Sequence, residues 1–219
     1  MAFIVKNTTF LSLLDLLSPH SCRGCGRLGE AFCECCKKNI MDNRNGICPK
    51  NINHNNLPPI HMVSFRDGIL GDLIHDYKYH SVRALAEPLA EMMCESLPTI
   101  LPEKSVLVPL PTATHHVRSR GFDHVRLIAK KMSRIRNIPI ERVLVRNKNI
   151  VQVGANRQER LSQAEFAYAL NHKTTIDKNT TYILLDDVLT TGASLEAAVK
   201  KLRAGGAKHM MIAVLACSS

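Results

Sequence analysis

The stretch Tyr182-Ile183-Leu184-Leu185-Asp186-Asp187-Val188-Leu189-Thr190-Thr191-Gly192-Ala193-Ser194 decides how this chain is read. Its apolar start predicts a buried strand, and Leu195, Ala198, Val199 and Leu202 then recur at helical spacing. In a parallel sheet, ligands sit at the carboxyl ends of the strands. A helix N-terminus there offers unsatisfied backbone N–H groups and a favourable dipole to an anion. Gly192 removes a side chain where backbone must approach a phosphate, and the hydroxyls of Thr190, Thr191 and Ser194 add donors around it. Asp186 and Asp187 cannot serve that phosphate, because like charges repel. They can hold hydroxyls or a cation, and a ribose with its Mg²⁺ supplies both. The plainer alternative is that Asp187 or a threonine merely caps the helix.

Working outward, helical and strand-like patterns alternate from Met62 to the end, the signature of a parallel α/β sheet. Ile69, Leu70, Leu73, Ile74 and Tyr77 share one helical face. Val82, Leu85, Ala86, Leu89 and Met93 share another, in a helix that Pro88 should start or kink. Val106–Leu110, Ile140–Val145 and His209–Cys217 read as further strands. Val125, Ile128, Ala129, Met132 and Ile135 form the apolar face of a helix whose other side carries Arg126, Lys130, Lys131 and Arg134. The last helix should stop at Gly205-Gly206.

Upstream the character changes. Residues 1–19 predict a short amphipathic helix, not a signal peptide: Asp15 interrupts the apolar cluster and no small-residue cleavage site follows. No run is long enough to span a bilayer, and the expected location is the cytoplasm. Cys22-x2-Cys25 and Cys33-x2-Cys36 then form two knuckles, each able to present two sulfurs to one tetrahedral ion, with Zn²⁺ the usual choice. In a reducing compartment disulfides are the poorer explanation. The segment has too few apolar residues to fold without a metal, and four thiolates make such a site structural. Cys35 adjoins Cys36, so either could be the ligand, and spacing favours Cys36. Residues 42–59 hold six Asn and three Pro with little periodicity. The expected organisation is therefore a helix and four-Cys segment over 1–41, a linker over 42–60 and an α/β domain over 61–219.

The apolar content of 45% suits a chain that buries a real core, and Trp is absent, so any base stacking rests on four Tyr and six Phe. The net charge of +10 is uneven. Between Arg118 and Arg160, twelve Lys and Arg face Asp123, Glu141 and Glu159, a local balance of 12 − 3 = +9. Residues 61–100 carry six acids and three bases. A basic third on a near-neutral remainder suits phosphates of a nucleotide or nucleic acid, or is a solvated surface.

Ile183 to Ser194 resembles the signature of type I phosphoribosyltransferases. Leu13 to Gly26, Ile74 to His80, Val108 to Pro111, Arg118 to Asp123, Gln152 with Asn156 to Arg160, and the turn itself together make nearly the whole chain resemble the ComF family (ComFC/GntX-like), linked to DNA uptake in competent bacteria. The resemblance implies a type I phosphoribosyltransferase-like parallel sheet flanked by helices, with a small N-terminal zinc-binding segment. It further implies that Asp186 and Asp187 hold ribose hydroxyls, directly or through Mg²⁺. Thr190, Thr191, Gly192, Ala193 and Ser194 would cradle the 5′-phosphate of phosphoribosyl pyrophosphate, and Lys78 would approach the pyrophosphate. Arg118 and Arg120, in a segment resembling a mobile closing loop, and Arg157 would contact pyrophosphate or nucleic acid. Lys78, Arg118 and Arg120 also admit a plain surface role. Relatives often carry a further Cys pair downstream. Here Cys48 keeps one member and the other is gone, which leaves a metal role for Cys48 or His54 open. The implied function is a phosphoribosyl pyrophosphate-binding factor of natural transformation, possible partners being single-stranded DNA and a ComFA-like helicase. An active phosphoribosyltransferase on a base or amine, and a nucleic-acid-binding module without a phosphoribosyl ligand, are the alternatives.

Overall fold

The computed structural model describes residues 20–43, 57–147 and 167–218. The expected N-terminal helix, most of the linker with Cys48 and His54, and the segment of Gln152 and Asn156–Arg160 with Arg157 lie outside them.

Four parallel strands form the sheet in the order β1-β6-β5-β2: β1 (Ile60–Phe65), β2 (Ser105–Pro109), β5 (Thr181–Leu189) and β6 (His209–Cys217). The strand read from Tyr182–Leu185 occupies the middle, so both its faces are covered and its sequence is continuously apolar. The period-2 alternation of a strand divides these residues between two cores. Ile183 and Leu185 join Leu89, Met93, Ile128 and Met132 on one side; Tyr182 and Leu184 join Leu195, Ala198 and Leu202 on the other. The first side is covered by α3 (Ala86–Ser96) and α5 (His124–Arg136), the second by α6 (Ala193–Ala204). This is a parallel sheet flanked by helices.

Several elements differ from the sequence expectation. The strand β5 runs beyond the acidic pair to Leu189, because Val188 and Leu189 still find ladder partners in Ala216 and Cys217. The helix expected from Val82 opens as a 3-10 turn, Arg83–Leu85, and becomes α-helical at Ala86. Pro88 falls in its first turn, where a missing N–H has no intrahelical partner to lose. The strand expected over Ile140–Val145 is divided. Ile140 makes one bridge to Leu107, and Leu144–Arg146 (β3) leaves the main sheet to pair antiparallel with Tyr168–Leu170 (β4).

The segment of Arg118 and Arg120, which resembles a mobile closing loop, forms the end of a short helix, α4 (Thr114–Arg120), stopped by Gly121 at φ 74°. Its end is tied down. The Ser81 hydroxyl donates to the Arg120 carbonyl at 3.2 Å, and the Arg83 guanidinium donates to the Gly121 carbonyl at 2.9 Å while lying over the Phe122 ring. Tyr77, fully buried on α2 (Gly68–Tyr79), packs on Phe122 and donates its hydroxyl to the His124 carbonyl at 2.8 Å. These contacts fix α2 against the start of α5, which is what brings the site together.

The cysteine segment shares the main core. Phe32 is buried with Cys22 and Cys33 in the cluster that holds Leu70 and Leu89. Helix α1 (Glu34–Asp42) presents Lys37, buried, to Glu91 on α3 at 2.8 Å and to its own Glu34 at 2.7 Å. Burying one Phe side chain is worth about 1.5–3 kcal/mol, so this docking is energetically substantial.

Candidate functional site

The carboxyl end of β5 delivers Asp186 and Asp187 to the rim of the sheet, and the chain turns through Thr190–Gly192 into α6. Gly192 is the N-cap of that helix at φ 76°, a left-handed conformation that a Cβ disfavours. Thr190, Thr191 and Ser194 are exposed around it. Residues 188–195 line a small concavity of about 50 Å³ bounded also by Asp186. The turn therefore lies at a helix N-terminus, where backbone N–H groups have no intrahelical partners, with three hydroxyl residues around it.

The two acids divide their duties. Asp187 is buried, and its Oδ2 lies 2.7 Å from the Lys78 ammonium and accepts a hydrogen bond from His124 Nε2. Burial alone would raise its pKa, but the bonds from His124 and Lys78 outweigh burial and hold the carboxyl well below the usual range. Asp186 is half-buried, and its Oδ1 accepts from the Asp187 backbone N–H at 2.9 Å. Burial, then the charge of Asp187, pushes its pKa up to about 7. Asp186 is thus the carboxylate open to a hydroxyl or a hard cation, whose preferred donors are oxygens. Asp187 is committed to a cationic clamp.

That clamp extends further. Arg120 lies 3.0 Å from His124 Nδ1. The same guanidinium nitrogen is 3.4 Å from Nε2, so it lies against the imidazole face, while the Asp187 carboxylate, an acceptor, takes the proton of Nε2. The Arg120 guanidinium also stacks 5.4 Å above the Tyr79 ring. A cleft of about 340 Å³ opens over the acids, walled by Lys78, Tyr79, Arg120, His124, Arg146 and Tyr168. Arg146 lies 5.6 Å over the Tyr168 ring, and the Tyr168 hydroxyl interacts with Ser194 and Arg146. The antiparallel pair β3–β4 therefore forms one wall of the cleft.

The residues singled out in the sequence are brought together with two qualifications. Asp186, Asp187, Thr190–Ser194, Lys78 and Arg120 converge, whereas Arg118 is exposed outside the cleft and Arg157 lies outside the described residues. His124, Arg146 and Tyr168 were missed. His124 directly follows the quoted Arg118–Asp123 motif, and its place as the first residue of α5, after the capping Asp123, was the available signal.

The four cysteines form a second centre. One sulfur each from Cys22, Cys25, Cys33 and Cys36 lies within 4.8 Å of the others. Cys35 is exposed and outside the cluster, so the ambiguity between Cys35 and Cys36 resolves to Cys36. The Cys22 sulfur accepts backbone N–H bonds from Gly24 at 3.4 Å and Cys33 at 3.3 Å. Burial opposes ionisation of Cys22, but these bonds bring its pKa down to about 6, so a thiolate is favoured there. A Cβ on Gly24 would meet the Cys36 sulfur at 2.8 Å, so the knuckle is closed around its sulfurs. Sulfur donors in this number and closeness suit tetrahedral zinc.

A family model described as uracil phosphoribosyltransferase matches residues 76–219. The chain belongs to this phosphoribosyltransferase family, and the match contains both acids, the turn and every residue that lines the cleft. Within that class it is similar to two proteins named Competence protein ComFC. The one from Streptococcus pneumoniae (strain ATCC BAA-255 / R6) is 25% identical over 208 residues, 92% of this chain and 90% of that protein. The one from Bacillus subtilis (strain 168) is 25% identical over 195 residues, 87% of this chain and 75% of that protein. Among solved structures, the allosteric regulatory enzyme of purine biosynthesis aligns with a TM-score of 0.44 and 16% identity over 64% of this chain and 29% of that one. Adenine phosphoribosyltransferase from Trypanosoma brucei aligns at 0.41 and 14% over 63% and 54%.

Proposed function

We propose that this chain is a ComF-type protein that binds phosphoribosyl pyrophosphate with Mg²⁺ and acts in DNA uptake during natural transformation. The carrying observation is Asp186-Asp187 at the end of a central parallel strand, followed at once by the Gly192 turn and the N-terminus of α6. In this reading residues 190–194 hold the 5′-phosphate, and Asp186 holds ribose hydroxyls or the Mg²⁺ that accompanies them. Lys78, with Asp187 as its counter-ion, and Arg120 face the pyrophosphate. Zn²⁺ held by Cys22, Cys25, Cys33 and Cys36 keeps the N-terminal segment folded on the domain. When bound, Mg²⁺ would supply positive charge to the pyrophosphate; the chain's own residues position the sugar and shield it from water.

The two ComFC relatives support the assignment to DNA uptake, which implies the cytoplasm as its place. Among the described residues no helix is long and apolar enough to cross a membrane. Arg118, Arg126, Lys130 and Arg134 are exposed and suited to phosphates of single-stranded DNA. A ComFA-like helicase remains a proposed partner. Calorimetric titration of phosphoribosyl pyrophosphate with Mg²⁺ tests the central claim. Saturable binding by wild type, lost in a folded Asp186→Asn/Asp187→Asn variant, supports it; no binding by zinc-loaded wild type removes it.

The extent of the cleft favours a second reading, active transfer to a base or amine. The cleft of about 340 Å³ is larger than the concavity of about 50 Å³ at the phosphate turn, and Arg146 and Tyr168 are part of its wall. Release of pyrophosphate during an acceptor screen distinguishes transfer from binding alone.

A further inference from the structure

Helix α2 ends in a cluster of side chains that the phosphoribosyl reading leaves unused. His75, Asp76 and His80 each bring one ligand atom to within 4.8 Å of the others. Asp76 and His80 are one turn apart, with Oδ1 and Nδ1 separated by 2.7 Å. On a continuing helix, residues 75 and 80 would point about 140° apart around the axis. The helix instead stops at Tyr79, and His80 caps it at φ −98°, ψ 4°. The His80 ring thus lies with its centroid 5.1 Å from that of His75. Asp76 Oδ2 is held 3.3 Å from Arg23 Nε, on the cysteine knuckle, which orients the carboxylate and leaves Oδ1 to His80 Nδ1. Both histidines are exposed, and the Asp76 side chain is 19% accessible.

We propose that His75, Asp76 and His80 form a second metal site, separate from the four thiolates, that takes an exchangeable first-row divalent ion such as Zn²⁺ or Ni²⁺. Imidazole nitrogens suit these ions, and a carboxylate completes a three-ligand set that leaves positions for water. Ligand bonds of about 2.0–2.2 Å require adjustments of only a fraction of an ångström to about 1 Å. Exposed side chains at a helix end can make them. The Arg23 contact serves as an outer-shell partner that fixes the ligating carboxylate. The site differs in kind from the oxygen donors of the cleft and the sulfur donors of the knuckle, so the three are separable by metal preference.

The test uses the full chain purified with its zinc, in excess Mg²⁺ to mask oxygen-only sites. Ni²⁺ is titrated calorimetrically while zinc content is followed by elemental analysis. Wild type is expected to take one further equivalent with its zinc retained. The His75→Ala/His80→Ala variant is expected to lose about tenfold or more in that affinity, since even outer-shell changes cost about that much. The volume-conserving Asp76→Asn variant, which keeps the helix, is expected to weaken it in the same direction. A His115→Ala/His116→Ala variant, which removes another exposed histidine pair, is expected to bind as wild type. No further equivalent in wild type, undiminished binding by the His75/His80 and Asp76 variants, or a loss that follows His115 and His116 overturns the proposal.

Discussion

The Lys78 ammonium lies 2.7 Å from Asp187 Oδ2 and joins the end of α2 to the carboxyl end of β5. His124 reaches the same oxygen from the start of α5. One carboxylate therefore holds together two helices and a strand that sequence separates widely. The arrangement makes Lys78 a structural cation as well as a ligand-facing one. Removing it leaves a buried carboxylate short of a partner, which costs more than the pair itself is worth.

Lys78→Ala is accordingly expected to lower stability by about 1–3 kcal/mol, less than a fully buried pair because the lysine retains some solvent contact. Lys78→Ala/Asp187→Asn should recover much of that loss while remaining defective in ligand binding. Urea unfolding of the four species of this cycle measures the coupling. Additive losses would show that the ion pair contributes nothing to stability.

The pH dependence has a definite sign. Asp186 has a folded pKa raised to about 7. Its contribution favours the folded state below the unfolded pKa of about 3.9 and is withdrawn as pH rises through 7. Asp187, depressed, contributes stability above that unfolded value and loses it as pH falls towards its low folded pKa. A cation or hydroxyl-binding role needs ionised Asp186, so affinity for the Mg²⁺ complex should rise between pH 6 and pH 8, a window set by its pKa. Asp186→Asn should remove that step, and Asp187→Asn should move it to lower pH by deleting the neighbouring charge. Calorimetry across this range checks all three; an unchanged step in Asp186→Asn would assign it to the ligand's own phosphates.

At the cysteine cluster, Cys36→Ser should lose zinc and lower the melting temperature, while Cys35→Ser should retain both. Gly24→Ala should also destabilise, by about 1–3 kcal/mol, because its Cβ would press on the Cys36 sulfur. Elemental analysis and thermal unfolding, with and without a chelator, read these outcomes. Zinc retained by Cys36→Ser would mean that Cys35 substitutes.

The basic third is not uniformly available to nucleic acid. Arg136 donates to the carbonyls of Cys94, Pro98 and Thr99, and Lys131 pairs with Glu87. Arg126, Lys130 and Arg134 are exposed on one side of α5. Replacing these three by Ala should weaken binding of single-stranded DNA and reduce its salt slope by about 2, from about 0.7 per phosphate contact. Fluorescence anisotropy over a salt series measures both. An unchanged slope would place any DNA elsewhere.

Much was legible in the chain itself. Local patterns report the environment of each residue: the apolar run Tyr182–Leu185 required a strand covered on both faces, and Gly192 between hydroxyl residues required a turn that backbone can approach. The cysteine spacing likewise identified all four clustered sulfurs, because a knuckle is built from neighbours. Strand order, the division of Ile140–Val145 between two sheets and the helical state of Thr114–Arg120 were not legible. Each depends on which distant backbone or side chain offers a partner. The same reason hid His124 and the commitment of Asp187. A carboxylate's duty is set by the groups that reach it, and Lys78 and His124 meet Asp187 only when α2, α5 and β5 are packed together.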